Sequence, residues 1–382
     1  MKKDKTKSLR LTFVFGTRPE TIKMAPIIRE ASRRGHRVRV ITTGQHRQMV
    51  KPLLKFFGIK PTKDLNLMKV GQTPLEVTSK VISSLDRTLK SSQSDYVLVQ
   101  GDTSSAFAAA FWAFHHKVPV VHVEAGLRTY DLNSPFPEEG NRQLISRIAS
   151  LHFAPTSSSV EALKAEGISE DSVFNVGNSG IDALRFSLEE ADLAKVPAGE
   201  KLSPKILNWI GHRKLVLVTA HRRESFGEGF KGIVEGIRRL ADSRDDLAIV
   251  FPVHPNPNVQ KPVKAALGKH SRILLCAPQP YIAFVQLMAR ADVLLTDSGG
   301  VQEEGPSLRK PILVMRDSTE RPEGVAAGFA KLVKTDPDAI VREALKVLEN
   351  PEIPSTSNPY GDGRTALKIL ESLEKFAKPR QL

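Results

Sequence analysis

The sequence predicts an α/β protein made of two doubly wound domains, each a parallel sheet covered by helices on both faces. Three observations predict it. Short apolar, β-branched runs alternate with longer amphipathic segments from end to end, the pattern of strand–helix–strand units. The alternation runs twice, on either side of a charge-rich stretch with weak strand signal, Asn178 to Arg213. The length of 382 residues is also too great for one ordinary core and suits two.

In the first half the strand runs are Leu11–Phe15, Val38–Thr42, Tyr96–Val99, Pro119–Val123, His152–Ala154 and Val173–Val176. Helical periodicity falls between them at Thr21–Arg34, Pro74–Leu89 and Ser104–His115. The second half repeats the scheme with Leu215–Thr219, Ala248–Val253, Ile273–Leu275, Val293–Thr296 and Ile312–Met315. A last helix, about Arg364 to Phe376, follows the Pro- and Ser-containing segment Pro351–Pro359; the pattern does not say which domain it joins. The domains are expected over residues 1–178 and 179–362.

Composition narrows the function classes. Hydrophobic residues at 40% and charged residues at 26% are the balance of a globular protein. One cysteine, Cys276, excludes an internal disulfide framework and fits a reducing compartment. The basic start, Met1 to Arg10, is followed by an apolar run too short for a signal peptide, and no run nears the ~18 apolar residues of a membrane span. A cytoplasmic chain with no membrane partner is expected. The net charge of +14 raises a nucleic-acid reading. Against it, Lys and Arg are scattered, often beside acids, aromatic residues are 6%, and no nucleic-acid module occurs. No nucleic-acid partner is expected; the charge fits an anionic ligand equally well.

In open α/β sheets, ligands bind beyond the carboxyl ends of the strands. The polar residues that break the apolar runs cluster there. Gly16-Thr-Arg-Pro-Glu20, Gly44-Gln-His46, Gln100-Gly-Asp102 and His122-Val-Glu124 end strands of the first half. Ala220-His-Arg-Arg-Glu224, His254-Pro-Asn256 and Thr296-Asp-Ser-Gly-Gly300 end strands of the second. Two such rims predict a ligand in a central cleft that the two domains face.

Each motif has a plainer reading beside the functional one. Asp297-Ser-Gly-Gly-Val-Gln-Glu-Glu304 opens a helix whose free amides could hold a diphosphate, or it is an ordinary capped start. Asp102 could cap the helix after it, and Glu138 and Glu139 could only charge a first turn. Glu124 ends an apolar strand and precedes a glycine, where a free carboxylate is costly unless functional or paired. His221 ends the first strand of the second half, where it could bind a phosphate, move a proton or simply start a helix. Gly227, Gly229 and Gly232 spell G-x-G-x-x-G, but do not directly follow a strand, and the next strand ends in Val253-His254 without an acid for a ribose. No nicotinamide site is read there. No phosphate-loop motif of the Walker A kind occurs, and the histidines lack metal-ligand spacing, so neither metal nor cofactor is expected.

Taken in order, FGTRPETIKMAP, TGQHRQM, QGDTSSAFAA, HVEAGLRTYDLNSPFPEEGNRQ, TAHRRESFGE, PVHPNPNV, LTDSGGVQEEGPSL, RDSTERPEGVAAG and SNPYGDGR resemble the non-hydrolysing UDP-N-acetylglucosamine 2-epimerase family. The likeness runs from about Leu11 to the last helix, and long motifs in fixed order are specific. It implies the two-Rossmann-domain glycosyltransferase B fold, a homodimer, and a C-terminal helix over 363–382 that crosses back to the first domain. It implies conversion of UDP-GlcNAc to UDP-ManNAc, a precursor for surface polysaccharide.

Carried over position by position, the resemblance puts catalytic carboxylates at Asp102, Glu124 and Glu138, with His221 beside them. Substrate-binding residues fall on Arg18, Lys23, Arg142, His221, Ser298, Gly299, Gly300, Glu304 and Arg321. A second UDP-GlcNAc, bound as activator in several relatives, would meet Gln45, Gln48, Gln72, Glu138, Arg222 and His254. Gly71 departs from the basic residue some relatives carry. Gly305, and Ser179-Gly180, are minor departures. The competing readings are a related epimerase acting on a modified UDP-amino sugar such as a diacetamido uronate, a glycosyltransferase of the same fold, and a sugar-nucleotide-binding regulator without catalysis.

Overall fold

The computed structural model describes residues 8–69, 71–89, 94–190 and 196–376. The basic tail through Lys7, the stretch 191–195 of the charge-rich connector and the last six residues, 377–382, lie outside the described residues. The chain forms two compact units, residues 1–183 with 361–382, and residues 184–360.

The first unit holds β1 (Arg10–Phe15), β2 (Arg37–Thr42), β3 (Lys63–Asp64), β4 (Tyr96–Gln100), β5 (Val120–Val123), β6 (Leu151–Ala154) and β7 (Val173–Asn175). They pair in parallel in the order β3-β2-β1-β4-β5-β6-β7. The second unit holds β8 (Lys214–Thr219), β9 (Leu247–Pro252), β10 (Ile273–Cys276), β11 (Val293–Thr296), β12 (Ile312–Val314) and β13 (Ala330–Leu332), ordered β10-β9-β8-β11-β12-β13 and again parallel. Both orders are of the Rossmann type. The direction of winding reverses between β1 and β4 and between β8 and β11, where doubly wound sheets bind ligands.

Strand alternation sorts the core. Phe13 and Phe15 of β1 pack on one face with Met24 and Ile27, while Val14 faces the other with Val97, Val99 and Ala109. All eight are fully buried, which explains why parallel strands read as continuous apolar runs. The helix after β1 spans Arg18–Arg33, three residues earlier than its apolar pattern. Thr17 and Glu20 form a capping box, and Pro19 fits the first turn, where no amide is needed. The glycines of the G-x-G-x-x-G string serve packing. Gly227 has φ +89, and a Cβ on Gly232 would lie 2.2 Å from the Thr335 carbonyl.

The last helix, Thr365–Phe376, packs on the first unit through Ile369, Leu370 and Leu373. Its start is held by Asp182, which accepts from the Thr365 amide (3.2 Å) and the Ala366 amide (2.8 Å). Farther along, Glu374 meets Arg34 at 2.8 Å and His36 at 3.0 Å. Burial raises Asp182 to about 6 against the amide bonds that lower it. A raised carboxyl favours the folded state while protonated, so its contribution is complete below about pH 4 and lost as pH climbs through about 6. Asp182→Asn removes that dependence. Its melting temperature relative to wild type is expected to improve by a few degrees between about pH 4.5 and 7.5; a constant difference would contradict the assignment.

Candidate functional site

In the first unit, the residues after β1, β4 and β5 come together at the reversal point. Glu124 follows β5 with φ +62, a backbone region that a long side chain rarely enters and that often marks a functional position. Lys23, on the helix after β1, donates to both its carboxylate oxygens at 2.6 Å, and Gln100, at the end of β4, donates from its side-chain amide. The Glu124 side chain is 8% exposed, so a buried charge is met by a partly buried cation. Gly126 is required next to it: a Cβ there would fall 2.2 Å from the Ser159 carbonyl.

Asp102, beyond β4, is gripped by Arg142 through Nη2 at 2.6 Å and Nε at 3.1 Å. Asn141 holds its carbonyl at 2.8 Å. Glu138 and Glu139 open the helix Glu138–Ile148 and divide their labour. Glu139 is fully buried; burial would raise it, but bonds from Gln143, the Thr129 and Tyr130 amides and the Arg142 charge hold it below the usual carboxylate range. It pins the loop and Arg142. Glu138 is half-buried and makes no side-chain hydrogen bond among the described residues, leaving its carboxylate available. Two further side chains fix the rim. Glu20, fully buried and raised by that burial, joins the Gly16 and Thr17 amides to the Thr103 hydroxyl at 2.7 Å. His122 is pushed down to about 3 by burial, so its neutral ring donates from Nε2 to the Gly101 carbonyl at 2.8 Å.

Arg18 is exposed on the first helical turn, with its backbone amide 3.5 Å from His46 Nδ1. Gln45 accepts from the Ser105 hydroxyl at 3.2 Å, and Gln48 is exposed on the helix Arg47–Phe56. Gln72 closes its own turn, accepting from the Lys69 amide at 2.7 Å. Gly71 in that turn has φ +79, so any side chain there would be strained although nothing crowds it.

In the second unit the reversal point lies between β8 and β11. His221, after β8, presents a ring that is 40% exposed and lies 3.0 Å through Nδ1 from Asp297, at the end of β11. Asp297 is fully buried and also accepts the backbone amides of His221 and Arg222. Burial would raise it, but the His221 ring and the two amides hold it below the usual range. The His221 ring stacks on His254, after β9, with centroids 5.5 Å apart and planes 18° apart. Gly299, Gly300 and Glu304 lie on one short helix, Gly299–Glu304, with Ser298 at its N-cap position making no side-chain capping bond. Arg321 reaches that helix: its guanidinium carbon is 3.6 Å from where a Gly299 Cβ would sit, and Nε bonds Glu303 at 2.5 Å. A methyl group at 299 would rest against the guanidinium at ordinary contact distance. Tyr360 fixes the Arg321 carbonyl at 2.9 Å.

Glu20, Glu139 and Asp297 were not predicted as site residues. Asp297 carries the same signal as Glu124, since it too is an acid ending an apolar strand. Among the described residues, no group of three or more His, Cys, Asp or Glu side chains is placed to hold a metal ion.

Two Rossmann-type units, each with charged and glycine-rich strand ends at its reversal point, define a sugar-nucleotide enzyme fold of the glycosyltransferase B class. The UDP-N-acetylglucosamine 2-epimerase family profile matches residues 29–374. The chain belongs to this family. A UDP-N-acetylglucosamine 2-epimerase of Campylobacter jejuni is 45% identical over 96% of this chain and 97% of its own. The crystal structure of the Neisseria meningitidis UDP-GlcNAc 2-epimerase bound to UDP-GlcNAc aligns with TM-score 0.85 and 44% identity over 96% of this chain and 99% of that one. The Methanocaldococcus jannaschii enzyme in complex with UDP-GlcNAc and UDP aligns with TM-score 0.80 and 34% identity, over 96% and 99%.

Proposed function

We propose that this chain interconverts UDP-GlcNAc and UDP-ManNAc by inverting C2 of the sugar. The observation that carries the reading is the first-unit cluster: three separate carboxylates, Asp102, Glu124 and Glu138, at adjoining strand and helix ends, in a chain of this family. The C2 proton of the sugar is barely acidic in the ground state. Once the anomeric C–O bond to UDP begins to break, the sugar gains oxocarbenium character and the proton becomes removable. A carboxylate takes it, UDP departs, and 2-acetamidoglucal forms. Protonation of C2 on the opposite face and re-addition of UDP give the epimer.

The environments suit this division. Glu124 and Asp102 are held in fixed positions by Lys23, Gln100 and Arg142, as proton transfer requires. Lys23 and Arg142, with Arg18, can also take up charge from a departing diphosphate. In the second unit His221, the Ser298–Gly300 amides and Arg321 supply cationic and amide donors, and Glu304 can accept a sugar hydroxyl. UDP-GlcNAc incubated with the protein, without any acceptor, should reach a mixture containing UDP-ManNAc with the nucleotide sugar conserved. A chain that changed UDP-GlcNAc only when an acceptor was supplied would be a transferase instead.

An activator role for a second UDP-GlcNAc at Gln45, Gln48, Gln72, Glu138, Arg222 and His254 belongs to the same proposal. An activator must bind the active state more tightly than the other. Initial rates from purified UDP-ManNAc are expected to stay low until trace UDP-GlcNAc is added. Because Gly71 carries no basic side chain, the concentration needed should be higher than in relatives that have one. Full activity without UDP-GlcNAc would remove the activator.

A homodimer is supported by an exposed aromatic face on the helix Ser104–His115. Phe107, Phe111 and Phe114 share it; Phe111 is 38% and Phe114 51% exposed, and on the helix Glu138–Ile148, which packs against it, Leu144 is 53% exposed. Contiguous apolar surface of this kind marks association. Light scattering should give twice the chain mass, and Phe111→Glu/Phe114→Glu should halve it; a monomeric wild type would contradict the proposal. No helix among the described residues is long and apolar enough to cross a membrane, and the single cysteine suits the cytoplasm, where we place the enzyme.

A further inference from the structure

At the edge of the first sheet, between the helix Arg47–Phe56 and β3, lies a groove of about 540 Å³, the size of a small-molecule site. Its floor is apolar: Val50 and Leu54 are buried, and Ile59 and Pro61 are half-buried. Its rim is cationic. Arg47, Lys51 and Lys55 stand one helical turn apart on the exposed side of the helix, and Lys60 and Lys63 line it from the other wall. Asp64 is the single acid among the described lining residues, and it pairs with Arg47 at 3.0 Å. The four lysines have no acid partner among the described residues.

Like charges repeated at i, i+4 destabilise a helix. Elsewhere the chain answers such charges: on the helix Glu228–Ser243, Lys231 meets Glu228, and Arg238 meets Glu235 and Asp242. Beside the groove the repulsion is left for something outside the chain to relieve. A rim of flexible ammonium groups suits phosphate oxygens, and an apolar floor suits a ring or similar flat body. The concavity and its size favour a compact soluble molecule over a flat membrane surface.

We propose that this groove binds a soluble organic polyphosphate of nucleoside triphosphate type, its apolar part on Val50, Leu54 and Ile59 and its phosphates on the lysines. None of the residues assigned to the epimerisation lines the groove, so the inference stands apart from that reading. Gly44 does line it, and places the occupant next to the turn carrying Gln45.

The test is calorimetric titration of the full chain with ATP, with saturating UDP present to fill the substrate site. Wild type should bind ATP at low salt, and Lys51→Glu/Lys55→Glu should weaken it tenfold or more while turnover of UDP-GlcNAc and the melting temperature stay at wild-type values. Ile59→Ser should weaken ATP without changing binding of inorganic triphosphate. The proposal is overturned by no ATP binding in wild type, or by equal affinity in the lysine variant. It is also overturned if ATP and inorganic triphosphate bind alike and Ile59→Ser alters neither. Cosedimentation with phosphatidylglycerol vesicles that ATP fails to displace would assign the lysines to a membrane surface instead.

Discussion

Glu124→Gln is expected to lower turnover of UDP-GlcNAc by roughly 10²-fold or more, the usual effect of losing one acid/base group. The substitution keeps the side chain's length and its ability to accept from Gln100. It removes the charge that Lys23 meets at 2.6 Å, and with it the ability to take or give a proton. Asp102→Asn and Glu138→Gln should fall in the same direction. They probe different settings, since Asp102 is gripped by Arg142 and Glu138 is unengaged. UDP affinity should change little in Glu138→Gln, because the loss lies in the chemical step. Near-wild-type turnover in all three folded variants would remove the carboxylates from the mechanism.

The second large effect concerns Asp297. It is a positioning residue: fully buried, it fixes the His221 ring and the two amides that follow β8. Asp297→Asn replaces a charged acceptor by a neutral one and turns an amide donor toward a donor. UDP affinity is expected to drop by about one to three kcal/mol, roughly fivefold to 150-fold, as it should in His221→Ala and Arg321→Ala. Asp297 is held below its usual range, so its stabilising contribution is present above about pH 4 and lost on acidification. Asp297→Asn should therefore also lower the melting temperature at neutral pH and narrow the gap to wild type in acid. Calorimetry with UDP alone decides the first part. Unchanged affinity in both Asp297→Asn and His221→Ala would move the nucleotide elsewhere.

The long strands were legible because parallel strands are buried on both faces, and runs such as Phe13–Phe15 or Val97–Val99 have no other reading at that length. β3 and β13 were not: Lys63–Asp64 has two charged residues, and Ala330–Leu332 holds a lysine and only three positions. Both are sheet edges, where pairing on one side suffices and the apolar signal fades. The helix start at Arg18 was masked by Pro19 and Glu20. Those residues stood out as polar breaks at a strand end, but Glu20 proves to be the buried half of a capping box. Glu139 was hidden for a related reason, and Asp297, an acid ending an apolar strand as Glu124 is, gave no sign of its partners. Their importance lies in bonds to backbone amides of distant loops, Thr129 and Tyr130 for one and His221 and Arg222 for the other. Nothing in local spacing reports such bonds.

In this mechanism the proton on C2 leaves and returns while UDP is briefly free of the sugar. Proton NMR of UDP-GlcNAc with the protein in D2O follows that proton. Deuterium should enter C2, the manno anomeric signal should grow with it, and Glu124→Gln should slow both together. A manno signal appearing with C2 still protonated, or UDP-GlcNAc remaining unchanged beside folded protein, would contradict the mechanism.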